Sequence, residues 1–221
     1  MRGGKNYGRI GPDEATGKAP AGIEGVTQMD EINAPSVVCL GFFDGVHKGH
    51  LSLLRAAEDI ARDQGLIVCV HTFDRAPGEK DFVLTTLAER EALLRAAGAD
   101  RVAVSAFNED MRRMSGDAFF RSIVLGKLNA RHVVCGDDHR FGYRGGWGVK
   151  ELETLCHQAG VGLTVCPPVS LTDGTRVSST AIRKAILAGN AVLAEEMLDR
   201  PLPPTLKQIC AEAKKGKETL A

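Results

Sequence analysis

His47 and His50 stand three positions apart in "VVCLGFFDGVHKGHLSLLRAA", where an apolar run from Val37 gives way to helical spacing and glycines fall at 41, 45 and 49. Two imidazoles three apart share one side of a helix start. Each can donate hydrogen bonds to phosphate oxygens, and more strongly when protonated. A helix beginning near Gly49 would add its unpaired N–H groups and positive dipole end, and the glycines would let the backbone turn and approach a ligand. The chemistry indicated is anion binding. A metal centre would need a third Cys, His or acidic ligand close by, and the segment offers none at a suitable spacing. Asp44, in the turn, could act as an acid or base or bond its own backbone.

Two further clusters carry chemistry. "RVSSTAIRKAI", from Arg176 to Ile186, sets Ser178, Ser179 and Thr180 at a helix start, with Arg183 about a turn further on. A plain N-cap uses one of these hydroxyls, whereas a polyphosphate would use all three and the guanidinium. "GDDHRFGYRGGWG", from Gly136, combines glycines, two acids and basic residues in what reads as a binding loop.

The elements needed to position these clusters are legible as an alternation. "SVVCLG", "LIVCVHTF", "RVAVSAF", "HVVCG" and "VGLTVCPP" read as strands. Between and after them, helical spacing runs over 49–64, 87–98, from a Ser115 N-cap to Leu128, 150–159, 178–189 and 191–198. Continuous apolar strands alternating with helices predict an α/β protein with an open, doubly wound, mainly parallel sheet. Ligands of such sheets collect beyond the carboxyl ends of the strands, near the switch in strand order. Residues 1–22, rich in glycine and polar groups, read as a flexible extension, 23–202 as the folded domain and 203–221 as a tail.

Composition narrows the partners. The 221 residues carry 28 Lys and Arg against 28 Asp and Glu, so no overall field draws the chain to nucleic acid or an anionic membrane. No apolar run approaches the roughly 20 residues that span a bilayer, and the N-terminus lacks the apolar stretch of a signal peptide. The six cysteines show no CxxC pairing, and four of them sit in apolar runs. They read as reduced, buried thiols of a cytoplasmic protein.

Taken together, "GFFDGVHKGH", "TFDRAP", "FVLTTLAER", "GDDHRFG" and "RVSSTAIRKAI" followed by "DRP" resemble the FMN adenylyltransferase module of bacterial bifunctional riboflavin kinase/FMN adenylyltransferases, in the HxGH nucleotidylyltransferase superfamily. The resemblance runs over about residues 35–202. It implies a Rossmann-like fold and AMP transfer from ATP to FMN, giving FAD and pyrophosphate with Mg²⁺ as the cofactor. By the same resemblance His47, His50 and Arg183 are catalytic. Gly41, Phe42, Phe43, Asp44, Gly45, Val46, Gly136, Asp138, Ser178, Ser179 and Thr180 bind ATP, with Asp138 also a candidate metal ligand. Thr72, Asp74, Phe107, Arg140 and Phe141 bind the acceptor.

The chain departs from the family pattern mainly on the acceptor side. Arg75 and Ala76 stand where TFxPHP has Pro-His, His139 stands for Phe in GxDFRFG, and Ala106, Met111 and Arg112 alter PFxxxFAxLS. ATP use is therefore the firmer expectation. Another phosphomonoester acceptor, CTP in place of ATP, or a non-catalytic flavin- or nucleotide-binding relative remain open. After "DRP" the family continues into a riboflavin kinase barrel, which 20 residues cannot form, so riboflavin phosphorylation is not expected.

Overall fold

A computed structural model of the chain describes residues 31–78 and 80–218; the expected extension at 1–22 lies outside them. Five strands, β1 (Ser36–Leu40), β2 (Ile67–Phe73), β3 (Arg101–Ser105), β4 (Ala130–Gly136) and β5 (Gly162–Cys166), form one sheet in the order β3-β2-β1-β4-β5. Every neighbouring pair is parallel. Sequence neighbours diverge from β1 toward one edge and from β4 toward the other, so the switch point lies between β1 and β4.

The three central strands carry runs of consecutive apolar residues because both faces of the sheet are covered there. Val38 and Leu40 pack on one side with Phe120, Ile123, Val124 and Leu152, while Val37 and Cys39 pack on the other with Leu53, Leu54 and Ala57. The first set of partners comes from the segment after Ser115 and from α5 (Val149–Ala159); the second comes from α1 (Lys48–Gln64). α2 (Leu87–Ala96) follows β2, begun by a capping box between Thr86 and Glu89.

Three elements depart from the sequence pattern. Asn108 caps an additional short helix, α3 (Glu109–Arg113). The helix capped by Ser115 is α-helical only over α4 (Gly116–Phe119) and continues as a π-helix over Phe120–Lys127. The wider turn, seen in the Leu128 N–H bond to Ile123 O at 2.9 Å, carries the fully buried Leu128 back onto the core. Residues past Pro203 are not featureless: α8 (Pro204–Glu218) packs on α6 (Ser179–Leu187) and α7 (Ala191–Leu198) follows α6. Ile182, Ile186, Met197, Leu202, Leu206 and Cys210 form a third apolar cluster there. All six cysteines are free and buried. Among the described residues, no helix is long and apolar enough to cross a membrane.

Candidate nucleotide and acceptor site

β1 ends at Leu40 and the chain turns through Gly41–Val46 before α1 begins. The turn is strained: Phe43 has φ 57° and the β-branched Val46 φ 39°. It is held from several sides. The Asp44 carboxylate accepts the N–H groups of Leu84 (2.9 Å) and Thr85 (3.1 Å) and pairs with the Arg183 guanidinium. Arg200 donates to the carbonyls of Val46 (3.0 Å) and Gly45. Thr72 Oγ1 donates to Phe42 O at 2.8 Å, and the Arg90 guanidinium lies over the Phe42 ring at 4.3 Å.

His47 and His50 cap α1 reciprocally. Each Nδ1 accepts the other residue's backbone N–H, at 3.3 and 3.4 Å, and the rings stack with centroids 3.6 Å apart. A neutral imidazole accepting at Nδ1 carries its proton on Nε2. Burial pushes His47 down to about 4 and His50 well below its ordinary range, with the Arg200 charge adding to both. The pair therefore offers neutral Nε2–H donors, not the protonated rings that the sequence left open. A side chain at Gly49 would crowd the His47 ring, its Cβ 3.1 Å from Cε1, so the ring would have to give by a few tenths of an ångström.

The hydroxyl cluster joins the same turn. Ser179 Oγ donates to Asp44 O at 2.8 Å, which brings the start of α6 against the residues leading into α1. Ser178 is an ordinary N-cap, accepting from Ala181 N at 3.1 Å. Thr180 is exposed beside it. Arg183 differs from expectation. Its charge is engaged by Asp44, its Nε donates to Phe82 O at 2.8 Å, and only 7% of the side chain is exposed. It ties the turn to the loop after β2 while still lining the smaller cavity.

Two cavities meet over the carboxyl end of β1. The smaller, about 420 Å³, is bounded by the turn, His47, His50, Gly136, Asp138 and the Ser178–Thr180 segment. The larger, about 1240 Å³, is walled by Phe73, Phe107, Phe119, Phe141 and Tyr143, with arginines 75, 112, 113, 140 and 144 around it. Leu40, Gly41, Phe42, His139 and Arg140 line both. Of the residues expected at the nucleotide, Gly41, Phe42, Phe43, Asp44, Gly136, Asp138, Ser178, Ser179 and Thr180 line the smaller cavity. Gly45 and Val46 do not; they present carbonyls to Arg200 behind it.

Of the acceptor residues, Phe107, Arg140 and Phe141 line the larger cavity. Thr72 and Asp74 instead hold its walls, the first through Phe42 O and the second by accepting Phe107 N–H at 2.8 Å. His139 is stacked on Phe141 and held by burial at about 4, and its Nε2 is buried without a partner. Asp137 and Asp138 share Arg176, whose Nη2 lies 2.8 and 3.1 Å from their carboxylates. Sequence reasoning passed over Arg90, Arg176 and Arg200. Each lies inside a stretch already singled out, Arg90 at the end of "FVLTTLAER", Arg176 at the start of "RVSSTAIRKAI" and Arg200 in "DRP", but spacing alone does not say which carbonyl or carboxylate an arginine will meet.

A parallel sheet that opens its ligand crevice between β1 and β4, with a helix-start pair of imidazoles on one side and an aromatic chamber on the other, is the framework of a nucleotidyltransferase. Residues 29–181 match the FAD synthetase family, and the chain belongs to it. A bifunctional riboflavin kinase/FMN adenylyltransferase from Pseudomonas fluorescens is 37% identical over 81% of this chain and 59% of that protein. The protein of the same name from Bacillus subtilis is 32% identical over 78% and 56%. The chain thus spans about three fifths of the length of these relatives. A crystal structure of a protein named as a macrolide-efflux protein, from Streptococcus pneumoniae, superposes with a TM-score of 0.70 at 32% identity, over 77% of this chain and 58% of that one.

Proposed function

We propose that the protein is an FMN adenylyltransferase, transferring AMP from ATP to FMN to give FAD and pyrophosphate. The observation that carries this reading is the meeting of the two cavities at Leu40–Phe42, His139 and Arg140. A triphosphate in the smaller cavity and a flavin in the larger would bring their phosphates to one junction. An oxygen of the FMN phosphate attacks the α-phosphorus, the bond from that phosphorus to the β-phosphate oxygen breaks, and pyrophosphate leaves. Neutral His47 and His50 hold the phosphates through Nε2–H, aided by the positive end of the α1 dipole and by Thr180. Phe73, Phe107, Phe141 and Tyr143 offer apolar faces to a fused aromatic ring. The names of the relatives favour the same chemistry.

Among the described residues, no group of three or more Asp, Glu, His or Cys is arranged to hold a metal ion by itself. Asp137 and Asp138 nevertheless bracket a cation, the Arg176 guanidinium. Beside that guanidinium, a carboxylate oxygen not taken by Arg176, completed by phosphate oxygens and water, would hold Mg²⁺, which would neutralise phosphate charge there.

A second reading keeps the nucleotide and changes the acceptor. The five arginines and His139 about the larger cavity favour a phosphomonoester more polar than a flavin. Incubation with ATP, Mg²⁺ and either FMN or riboflavin, followed by chromatography, tests the first. FAD from FMN alone is expected. Pyrophosphate release with another phosphomonoester and none with FMN would favour the second, and ATP untouched with every acceptor would end both.

A further inference from the structure

The smaller cavity has a shortage of available positive charge. Four cationic side chains line it: Lys80, Arg140, Arg176 and Arg183. Arg183 is neutralised by Asp44, and Arg176 by Asp137 and Asp138. Arg140 lies against Gly148, where a Cβ would sit 2.8 Å from its Nη1, and its charge helps hold the Glu151 carboxyl below the usual range after that group's backbone bonds. His47 and His50 are neutral. Lys80 and Arg140 are thus the two in no ion pair among the described residues; Arg140 stands at the junction with the larger cavity, and Lys80, exposed, lines only the smaller one.

Its loop is placed to use it. Between β2 and α2 the chain first lines the larger cavity with Arg75–Gly78 and then the smaller one with Lys80. Just beyond Lys80 it is pinned at Phe82 O by Arg183 and at Leu84 and Thr85 N–H by Asp44. Lys80 therefore lines the nucleotide cavity on a segment anchored to the same turn that carries His47.

We propose that Lys80 is a catalytic residue that contacts the β- and γ-phosphates of ATP and stabilises the charge that gathers on pyrophosphate as it leaves. The assignment rests on the nucleotide part of the reading above and not on the identity of the acceptor. Lys80 transfers no proton; the electrons of the breaking bond pass to pyrophosphate, and the ammonium offsets the resulting charge.

Titration of the full chain and of K80A and K80R with ATP and with AMP tests this. K80A is expected to weaken ATP by about 10-fold or more, to leave AMP within about 2-fold, and to keep its melting temperature; K80R retains most of the ATP affinity. Pyrophosphate release by K80A should fall at saturating ATP, the mark of charge stabilised on the leaving group and not of binding alone. Equal effects on ATP and AMP, or an unchanged ATP affinity, overturn the assignment. Wild-type protein that binds no ATP overturns it together with the nucleotide reading. A wild type that binds ATP but makes no FAD from FMN, with K80A weakened for ATP alone, supports Lys80 and overturns only the acceptor.

Discussion

Asp44 organises more of the site than any other single side chain. Its carboxylate, 2% exposed, binds the loop after β2 through two amides and takes the charge of Arg183 from α6. Removing one member of a buried pair leaves the other uncompensated, at a cost of about 3–5 kcal/mol. D44A and R183A should each lower the unfolding free energy in urea by that order, and the double variant should lose less than their sum. An Arg183 kept for phosphate would instead leave stability unchanged in R183A while ATP affinity fell. His50 is different, since the reciprocal cap uses its Nδ1 and leaves Nε2 out of that bond; H50A should reduce turnover by on the order of 10²-fold, read as initial pyrophosphate release. The motif made His47 and His50 visible in the sequence. The inward turn of Arg183 was not, because its spacing on the helix is the same whether it faces a ligand or a carboxylate 139 positions away.

At the level of elements, strands and most helices were legible, since β1, β2 and β4 each carry a run of consecutive apolar residues and α1 has one clean apolar stripe. The π-helix was not, because Phe119, Phe120, Ile123 and Val124 fit an α-helix equally well and only the position of Leu128 reveals the wider turn. α8 was read as tail because the family resemblance stops near residue 202 and the 20 residues after "DRP" are too few for a domain, although Leu206 and Cys210 are buried against α6 and its neighbours. That helix sits behind the segment bearing Ser179 and Thr180. L206A should cost about 2–5 kcal/mol, the usual range for a buried leucine, as a lowered urea midpoint. It should also weaken ATP binding, since α6 supplies one wall of the nucleotide cavity. An L206A protein that loses stability with unchanged ATP affinity would show that α6 holds its place without α8.

For the whole molecule, the buried imidazoles govern the response to acid. Burial holds His47 and His139 at about 4 and His71 at about 3, with His50 also well below its ordinary value. In the unfolded chain these rings bind protons near pH 6.5. Between about pH 6.5 and 4 the unfolded state therefore holds more protons than the folded one, and stability falls as pH falls; above 6.5 the loss is absent. A pKa difference of one is worth about 1.4 kcal/mol, so chemical unfolding at pH 7 and pH 5 should differ by several kcal/mol. A flat profile over that window would contradict the burial of these rings. The six sequestered cysteines give the same molecule a built-in gauge of opening. A bulky aromatic disulfide reagent should find no reactive sulfur in the native protein and six in denaturant. Because Cys210 lies on the last helix while Cys39 and Cys69 lie in the central strands, the order in which they become labelled would report which part of the protein loosens first.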